Sequence, residues 1–283
     1  MLLSDFIRRG AAGLESLYPS PEARGLVLML CAERLGSASY THVVEPATVV
    51  PAGMEARLDE DLMRLQAGEP IQYVLGVTEF CGRRFSVGPG VLIPRPETEQ
   101  LVAGAVRALE GVSVPRVLDL CTGSGCIAWS IALEVPGAEV IGVDVSETAL
   151  DYARNQFAGE GCKPVFLQAD VLDAEQEFPY GPFDLIVSNP PYVMERERAR
   201  MRPNVLDHEP ALALFVPDDD PLLFYRAIAR WAQRFLRPGG IGLVEINEAL
   251  GPETADIFRS AALKNIQIHR DFAEKERFIR FTL

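Results

Sequence analysis

The chain has 283 residues, 48% apolar and 24% charged, enough to bury the core of one large domain and a smaller one. Forty acidic against 27 basic residues leave a net charge of −13, which argues against a dedicated nucleic-acid binder, because phosphate backbones demand clustered lysine and arginine. Five scattered cysteines with no C-x-x-C pair, three histidines and no signal-peptide core in the first residues predict reduced thiols, no metal site, no membrane partner and a soluble cytoplasmic protein.

Residues 1–70 read as helices. Ser4 is a candidate cap for the first. Ser20-Pro21-Glu22 combines a cap, a first-turn proline and an early acid, leading into Leu26-Val27-Leu28-Met29-Leu30 and ending near Gly36. Met54 to Ala67 carries apolar Leu58, Leu62 and Leu65 on one face and stops at Gly68. No catalytic constellation is visible in this bundle, so packing appendage and docking module are equally open.

From Ile71 to Pro96 the pattern alternates through Gln72-Tyr73-Val74, Glu79-Phe80-Cys81 and Arg84-Phe85-Ser86-Val87, punctuated by glycines as in a hairpin. The stiff connector Val91-Leu92-Ile93-Pro94-Arg95-Pro96-Glu97-Thr98-Glu99 follows, and a helix runs from there to about Glu110. The expected domains are thus 1–70 helical and substrate-docking, 71–97 hairpin and connector, and 98–283 the large domain.

In the large domain, strands are expected at Arg116–Cys121, Glu139–Asp144, Pro164–Gln168, Phe183–Ser188 and Gly240–Glu245, with weaker ones near Ile266–His269 and Phe278–Thr282. Helical stretches, among them Ser146–Ala158 and Pro221–Leu236, lie between them. That is an α/β, doubly wound, mostly parallel seven-stranded sheet with an antiparallel tail, whose parallel strands end along one ligand-binding edge.

Asp119-Leu120-Cys121-Thr122-Gly123-Ser124-Gly125 closes the first strand and opens a helix. Glycines there let a ligand approach the backbone, and the helix start offers free N–H groups. Asp144 ends the next strand about 20 residues on, where an acid holds ribose hydroxyls. A nicotinamide dehydrogenase fits equally well so far. Asp119, however, would repel a pyrophosphate and welcome an ammonium or sulfonium. Asp170, after the third strand, suits an adenine amino group. Asn189-Pro190-Pro191-Tyr192 ends the fourth strand with a rigid turn, since two prolines cannot feed a sheet ladder. Its fixed acceptors and aromatic wall suit a planar NH2-bearing group. Arg83-Arg84 and Glu195–Arg202 are charge runs, the second a candidate flap, and His42, His208 and His269 show no ligand spacing.

These segments resemble the protein-(glutamine-N5) methyltransferases of peptide chain release factors, the HemK or PrmC family. Gln72-Tyr73-Val74-Leu75-Gly76, the Val91–Glu99 connector, the Asp119–Gly125 loop, Val187-Ser188-Asn189-Pro190-Pro191-Tyr192, Glu209-Pro210-Ala211-Leu212 and Tyr225-Arg226-Ala227-Ile228 carry the resemblance. The chain departs from the family at Val171, where a bulkier residue is usual, and in the stretch Leu214–Asp220.

The resemblance implies a class I, Rossmann-like methyltransferase that uses S-adenosylmethionine, releases S-adenosylhomocysteine and needs no metal. Cys121, Thr122, Gly123, Ser124 and Gly125 would line the donor's methionine part. Asp144 would take the ribose, Val171 would pack near the adenine beside Asp170, and Asn189 would sit under the transferring methyl. Asn189, Pro190 and Tyr192 would be catalytic, with Pro191, Arg95 and Glu97 completing the substrate contacts. The implied partner is a release factor, met by a monomer with no stable nucleic-acid partner. A methyltransferase acting on nucleic-acid bases is the alternative, because the same turn could hold an exocyclic amine.

Overall fold

A computed structural model describes residues 1–161 and 163–283, so Cys162, one of the five thiols counted above, lies outside the described residues. Met1–Val77 together with Arg202–His208 forms one compact unit, and Thr78–Met201 with Glu209–Leu283 forms the other.

The first unit holds α1 (Leu3–Leu14), α2 (Ser20–Leu35), α3 (Thr41–Val44), α4 (Ala52–Gln66), α5 (Ile71–Leu75) and a later short helix, Pro203–His208. Phe6, Ile7, Leu14, Val27, Leu30, Leu58, Leu62 and Leu65 meet in its core. Ser4 falls inside the first turn of α1 rather than capping it, and α2 starts at Ser20 itself, whose hydroxyl donates to Glu15. Gly36 closes α2 in the left-handed conformation at φ +63°, as expected of that stop.

The expected strand through Gln72-Tyr73-Val74 is a helical turn instead. Pro70 precedes it and Gly76, at φ +78°, ends it. Its last carbonyls have strong partners: Arg34 Nη2 donates to Val74 O at 2.8 Å and Arg64 Nη2 to Tyr73 O at 3.2 Å. Arg34 also pairs with the fully buried Asp61 at 2.7 Å. Guanidinium groups take the place of the ladder that the alternating pattern suggested.

The second unit opens, from Thr78 on, with the hairpin of β1 (Val77–Phe80) and β2 (Arg83–Ser86), joined by Cys81-Gly82 with both residues at positive φ, the geometry of a tight two-residue turn. Then follow α6 (Pro96–Ala108), β3 (Arg116–Leu120), α7 (Cys126–Glu134), β4 (Glu139–Asp144), α8 (Glu147–Arg154), β5 (Val165–Gln168) and β6 (Phe183–Ser188). After β6 come β7 (Val193–Met194), a 3-10 turn over Glu195–Arg200, the first unit's α9 (Pro203–His208), α10 (Ala211–Leu214) and β8 (Phe215–Val216). The chain ends with α11 (Leu223–Phe235), β9 (Leu236–Glu245), α12 (Gly251–Ser260), β10 (Lys264–Arg270) and β11 (Glu276–Thr282).

The large sheet has the order β10-β11-β9-β6-β3-β4-β5. Its five inner and edge strands from β9 to β5 run parallel, and β11 pairs antiparallel with both β9 and β10. Each face carries its own core, as a doubly wound sheet requires. Along β6, Leu185 and Val187 pack with Trp129 and Phe166, while Ile186 packs on the other side with Tyr225 and Trp231. Strand β9 begins earlier than the Pro238-Gly239-Gly240 punctuation suggested: Leu236 pairs Phe183, and the register slips before Ile241 pairs Leu185. The proline is absorbed at that irregularity, where no ladder N–H is needed. Chain order reverses between β3 and β6, so their carboxyl ends, Leu120 and Ser188, flank the crevice.

Candidate active site

The site begins where β3 ends. Cys121 turns the chain at φ +59°, and Thr122 N–H donates to Val143 O of β4 at 2.9 Å. Gly123 N–H then donates to Asp144 Oδ2 at 2.8 Å, while Ser146 N–H donates to Asp144 Oδ1 at 2.9 Å. One carboxylate at the end of β4 thus holds the glycine loop and the start of α8. Burial raises its pKa, and the N–H groups of Ser146 and Gly123 oppose that rise.

Asp119 stands apart from its expected role. It is 0% exposed and does not line the cavity; it accepts the Thr122 hydroxyl at 2.5 Å beneath the loop. Burial pushes its carboxyl up to about 7, against the bonds from Thr122 and Ala128. Its partner Thr122 does line the cavity.

Along the sheet edge, an open cavity is walled by the Cys121–Ser124 loop, Asp144, Asp170, Val171, Leu172, Thr98 and Asn189. Gly125, expected in this wall, lies behind it at φ +76°. Asp170 is exposed at the rim, where its Oδ1 caps Leu172 N–H at 2.8 Å. Val171 is buried, and its carbonyl is held by Trp231 Nε1 at 3.1 Å. Ser124 is 2% exposed and has no oxygen or nitrogen partner among the described residues, although it lines the cavity. Cys121, also in the wall, has its thiol raised well above the usual range by burial, and Cys81 is pushed up to about 11 by the same cause. These sulfurs are protonated at neutral pH and are poor nucleophiles.

A second, smaller cavity adjoins the first; it is lined by Pro190, Tyr192, Val193 and Leu214 and shares Leu92, Arg95, Asn189 and Ala213 with the larger one. Ser188 Oγ donates to Leu120 O at 2.7 Å, tying the two central strand ends together just before the turn. Asn189 Nδ2 donates to Thr98 Oγ1 at 3.1 Å, and Thr98 Oγ1 donates to Glu245 Oε2 at 2.7 Å. Tyr192 Oη donates to Glu245 Oε1 at 3.0 Å. Burial raises the pKa of both Tyr192 and Glu245. Pro191 faces the larger cavity.

Of the two expected substrate contacts in the connector, Arg95 reaches both cavities and is pinned by Glu209 at 2.6 Å, while Glu209 also accepts Ile93 N–H. Glu97 is exposed and lines neither cavity; the neighbouring Thr98 is the residue turned inward. The Glu195–Arg200 run is bonded into its surroundings. Glu197 Oε2 accepts Met194 N–H at 2.8 Å and Asn247 Nδ2 at 2.9 Å, and Arg198 lies 4.2 Å over the Phe215 ring.

Sequence reasoning missed Thr98, Glu245 and Asn247. Glu245 carried a usable signal, because an acid closing an apolar strand at the same edge as Asp144 invites the same question. Among the described residues no group of three or more His, Cys, Asp or Glu is placed to hold a metal, and no helix is long and apolar enough to cross a membrane.

The sequence matches the methyltransferase domain family over residues 117–207 and the PrmC N-terminal domain over residues 5–76. It is 42% identical to a release factor glutamine methyltransferase of Bacteroides thetaiotaomicron over 94% of this chain and 95% of that one. It is 34% identical to another of that name from Deinococcus radiodurans, over 99% and 98% of the two chains. Among solved structures, a 16S rRNA methyltransferase of T. thermophilus in complex with AdoMet and guanosine superposes with a TM-score of 0.50 at 22% identity, over 73% of this chain and 49% of that one, a likeness of fold.

Proposed function

The chain belongs to the release factor glutamine methyltransferase family, and we propose that it transfers a methyl group from S-adenosylmethionine to the side-chain amide nitrogen, N5, of the glutamine in the Gly-Gly-Gln motif of peptide chain release factors. The observation that carries this reading is the position of Asn189 in the wall shared by the large and small cavities. A nucleoside-sized ligand fits the first and an extended side chain the second.

The larger cavity suits the donor. Asp144 keeps acceptor capacity for ribose hydroxyls beyond its two N–H bonds. Val171 and Leu172 offer an apolar wall to an adenine, with Asp170 at the rim for its amino group. The loop from Cys121 to Ser124, whose Ser124 hydroxyl has no oxygen or nitrogen partner among the described residues, suits the amino-acid end, and Asp119 serves it through Thr122. When bound, S-adenosylmethionine supplies an electrophilic methyl on a sulfonium and departs as S-adenosylhomocysteine.

An amide nitrogen is a weak nucleophile because its lone pair is delocalised into the carbonyl. Positioning and charge placement therefore matter more than a strong base. The Asn189 Oδ1 and the Pro190 carbonyl accept the two N–H bonds of the substrate amide and aim its lone pair at the larger cavity. As the nitrogen becomes positive, both bonds strengthen, which is differential stabilisation of the transition state. Tyr192 covers the planar amide and helps exclude water, and Arg95, held by Glu209, closes the far wall. After transfer the cationic nitrogen gives up one proton to solvent and returns to a neutral, methylated amide.

The helical unit at the N terminus is read as the docking element for the release factor, and the substrate, a translation factor, puts the enzyme in the cytoplasm. Mass spectrometry of a release factor incubated with the enzyme and S-adenosylmethionine tests the proposal. One added methyl on the Gly-Gly-Gln glutamine is expected; transfer to nucleic acid instead would move the enzyme to the base methyltransferases.

A further inference from the structure

Three side chains far apart in sequence form one directed chain of hydrogen bonds. Glu245, the last residue of β9, is 1% exposed, and Thr98, in the first turn of α6, is 2% exposed. A carboxylate only accepts, so the Tyr192 and Thr98 hydroxyls each point their one proton at Glu245. Thr98 Oγ1 then has only lone pairs left for Asn189. It takes the amide NH2 at 3.1 Å; the flipped amide would set two acceptors against each other. Oδ1 is left without a partner among the described residues and is the amide atom free for a ligand.

We propose that Glu245, acting through Thr98, fixes the rotation of the Asn189 amide and so makes this position an acceptor, restricting the site to groups that bring an N–H. Thr98 and Glu245 are positioning residues. The inference rests on the reading of Asn189 as the acceptor of the substrate amide. By the same chemistry a glutamate side chain, with no N–H to offer, should be refused at this cavity.

The chain can be reversed without changing its shape. Glu245→Gln turns two acceptor oxygens into one oxygen and one NH2; with the oxygen on the Tyr192 hydroxyl, the NH2 faces Thr98. Thr98 then donates to Asn189, whose Oδ1 turns inward and whose NH2 turns toward the substrate. Thr98→Val removes the link outright, and Thr98→Ser keeps it.

The experiment measures kcat on release factor for these three variants, alone and in the Asn189→Ala background. It also follows hydrogen exchange of the Asn189 side-chain NH2 by NMR, and the thermal shift given by S-adenosylmethionine as a check of folding. Thr98→Val and Glu245→Gln are expected to lower kcat about tenfold or more, as misplaced polar groups do. Thr98→Ser should stay near wild type. In the Asn189→Ala background the two losses should shrink to about twofold or less, because the relay then has nothing to orient. Exchange protection of the NH2 should vanish in both damaging variants.

A wild-type kcat in Thr98→Val, or losses that persist undiminished without Asn189, would overturn the relay. A wild-type enzyme that leaves the release factor unmethylated would overturn the functional reading instead, and the exchange measurement would still judge the relay.

Discussion

The Tyr192 hydroxyl donates to Glu245 Oε1 at 3.0 Å, so the aromatic wall of the smaller cavity is anchored by the end of β9 and not by its own turn. The same strand end holds the Tyr192 main chain, because Asn247 Nδ2 donates to Tyr192 O at 3.1 Å. Tyr192→Phe keeps the ring and removes one of the two hydroxyls that satisfy a buried carboxylate. A loss of about 1–2 kcal/mol in stability is expected, with a smaller loss of kcat than Tyr192→Ala, which also opens the cavity. Urea unfolding and steady-state rates check both; equal rates for the two variants would remove the ring from the mechanism.

Asn189→Ala deletes an acceptor that strengthens as the nitrogen turns positive. The expected loss is about 10²-fold in kcat, in line with other preorganised polar groups, with binding of the release factor less affected. Near-normal turnover in this variant would end the role assigned to Asn189.

Asp144 shows how much of the site was readable and how far. An acid closing the second strand of a glycine-loop unit is a local signal, and the structure places Asp144 in the cavity wall at the expected strand end. The sheet was legible for the same reason, since its strands are apolar runs bounded by turn residues. Thr98 was not legible, because nothing in the connector distinguishes it from Glu97; the phase of α6 turns one inward and leaves the other in solvent. Tertiary partners decided α5 as well: no local pattern announces that Arg34 and Arg64 will satisfy the carbonyls of residues 73 and 74.

Asp144→Ala strips the partner from two backbone N–H groups, those of Gly123 and Ser146. Hydrogen bonds to a charged group contribute about 1.5–3 kcal/mol each. A fall of tenfold or more in affinity for S-adenosylmethionine is expected, measured by calorimetry, because the loop and the ribose acceptor are lost together. Unchanged affinity would mean that the donor does not lie against this strand end.

Asp119 predicts a pH dependence of stability. Burial pushes its carboxyl up to about 7 in the folded protein, whereas an unfolded aspartate titrates near about 4. Between those values the folded state binds more protons than the unfolded state, so this residue makes stability fall as pH rises from about 4 to about 7, and the loss persists above. Asp119→Asn keeps an oxygen for the Thr122 hydroxyl and removes the titration. Unfolding free energies measured at pH 5 and pH 8 should therefore show the variant gaining on the wild type as pH rises. Parallel curves would show that Asp119 does not titrate in this window.

Gly125 tests why the loop turns where it does. Its φ is +76°, and a Cβ placed there would lie 2.9 Å from Phe166 Cζ and 3.0 Å from Ala153 Cβ. Two costs are thus superposed in Gly125→Ala: a strained backbone, and a methyl driven into the core beneath the loop. Each is of order 1–3 kcal/mol. They separate in a Phe166→Leu background, where the ring is gone and the backbone strain is not. Gly125→Ala should lower the melting temperature in both backgrounds and by less in the second. If the loss were the same in both, contact with Phe166 would play no part, and the conformation at Gly125 together with the contact to Ala153 would explain the glycine.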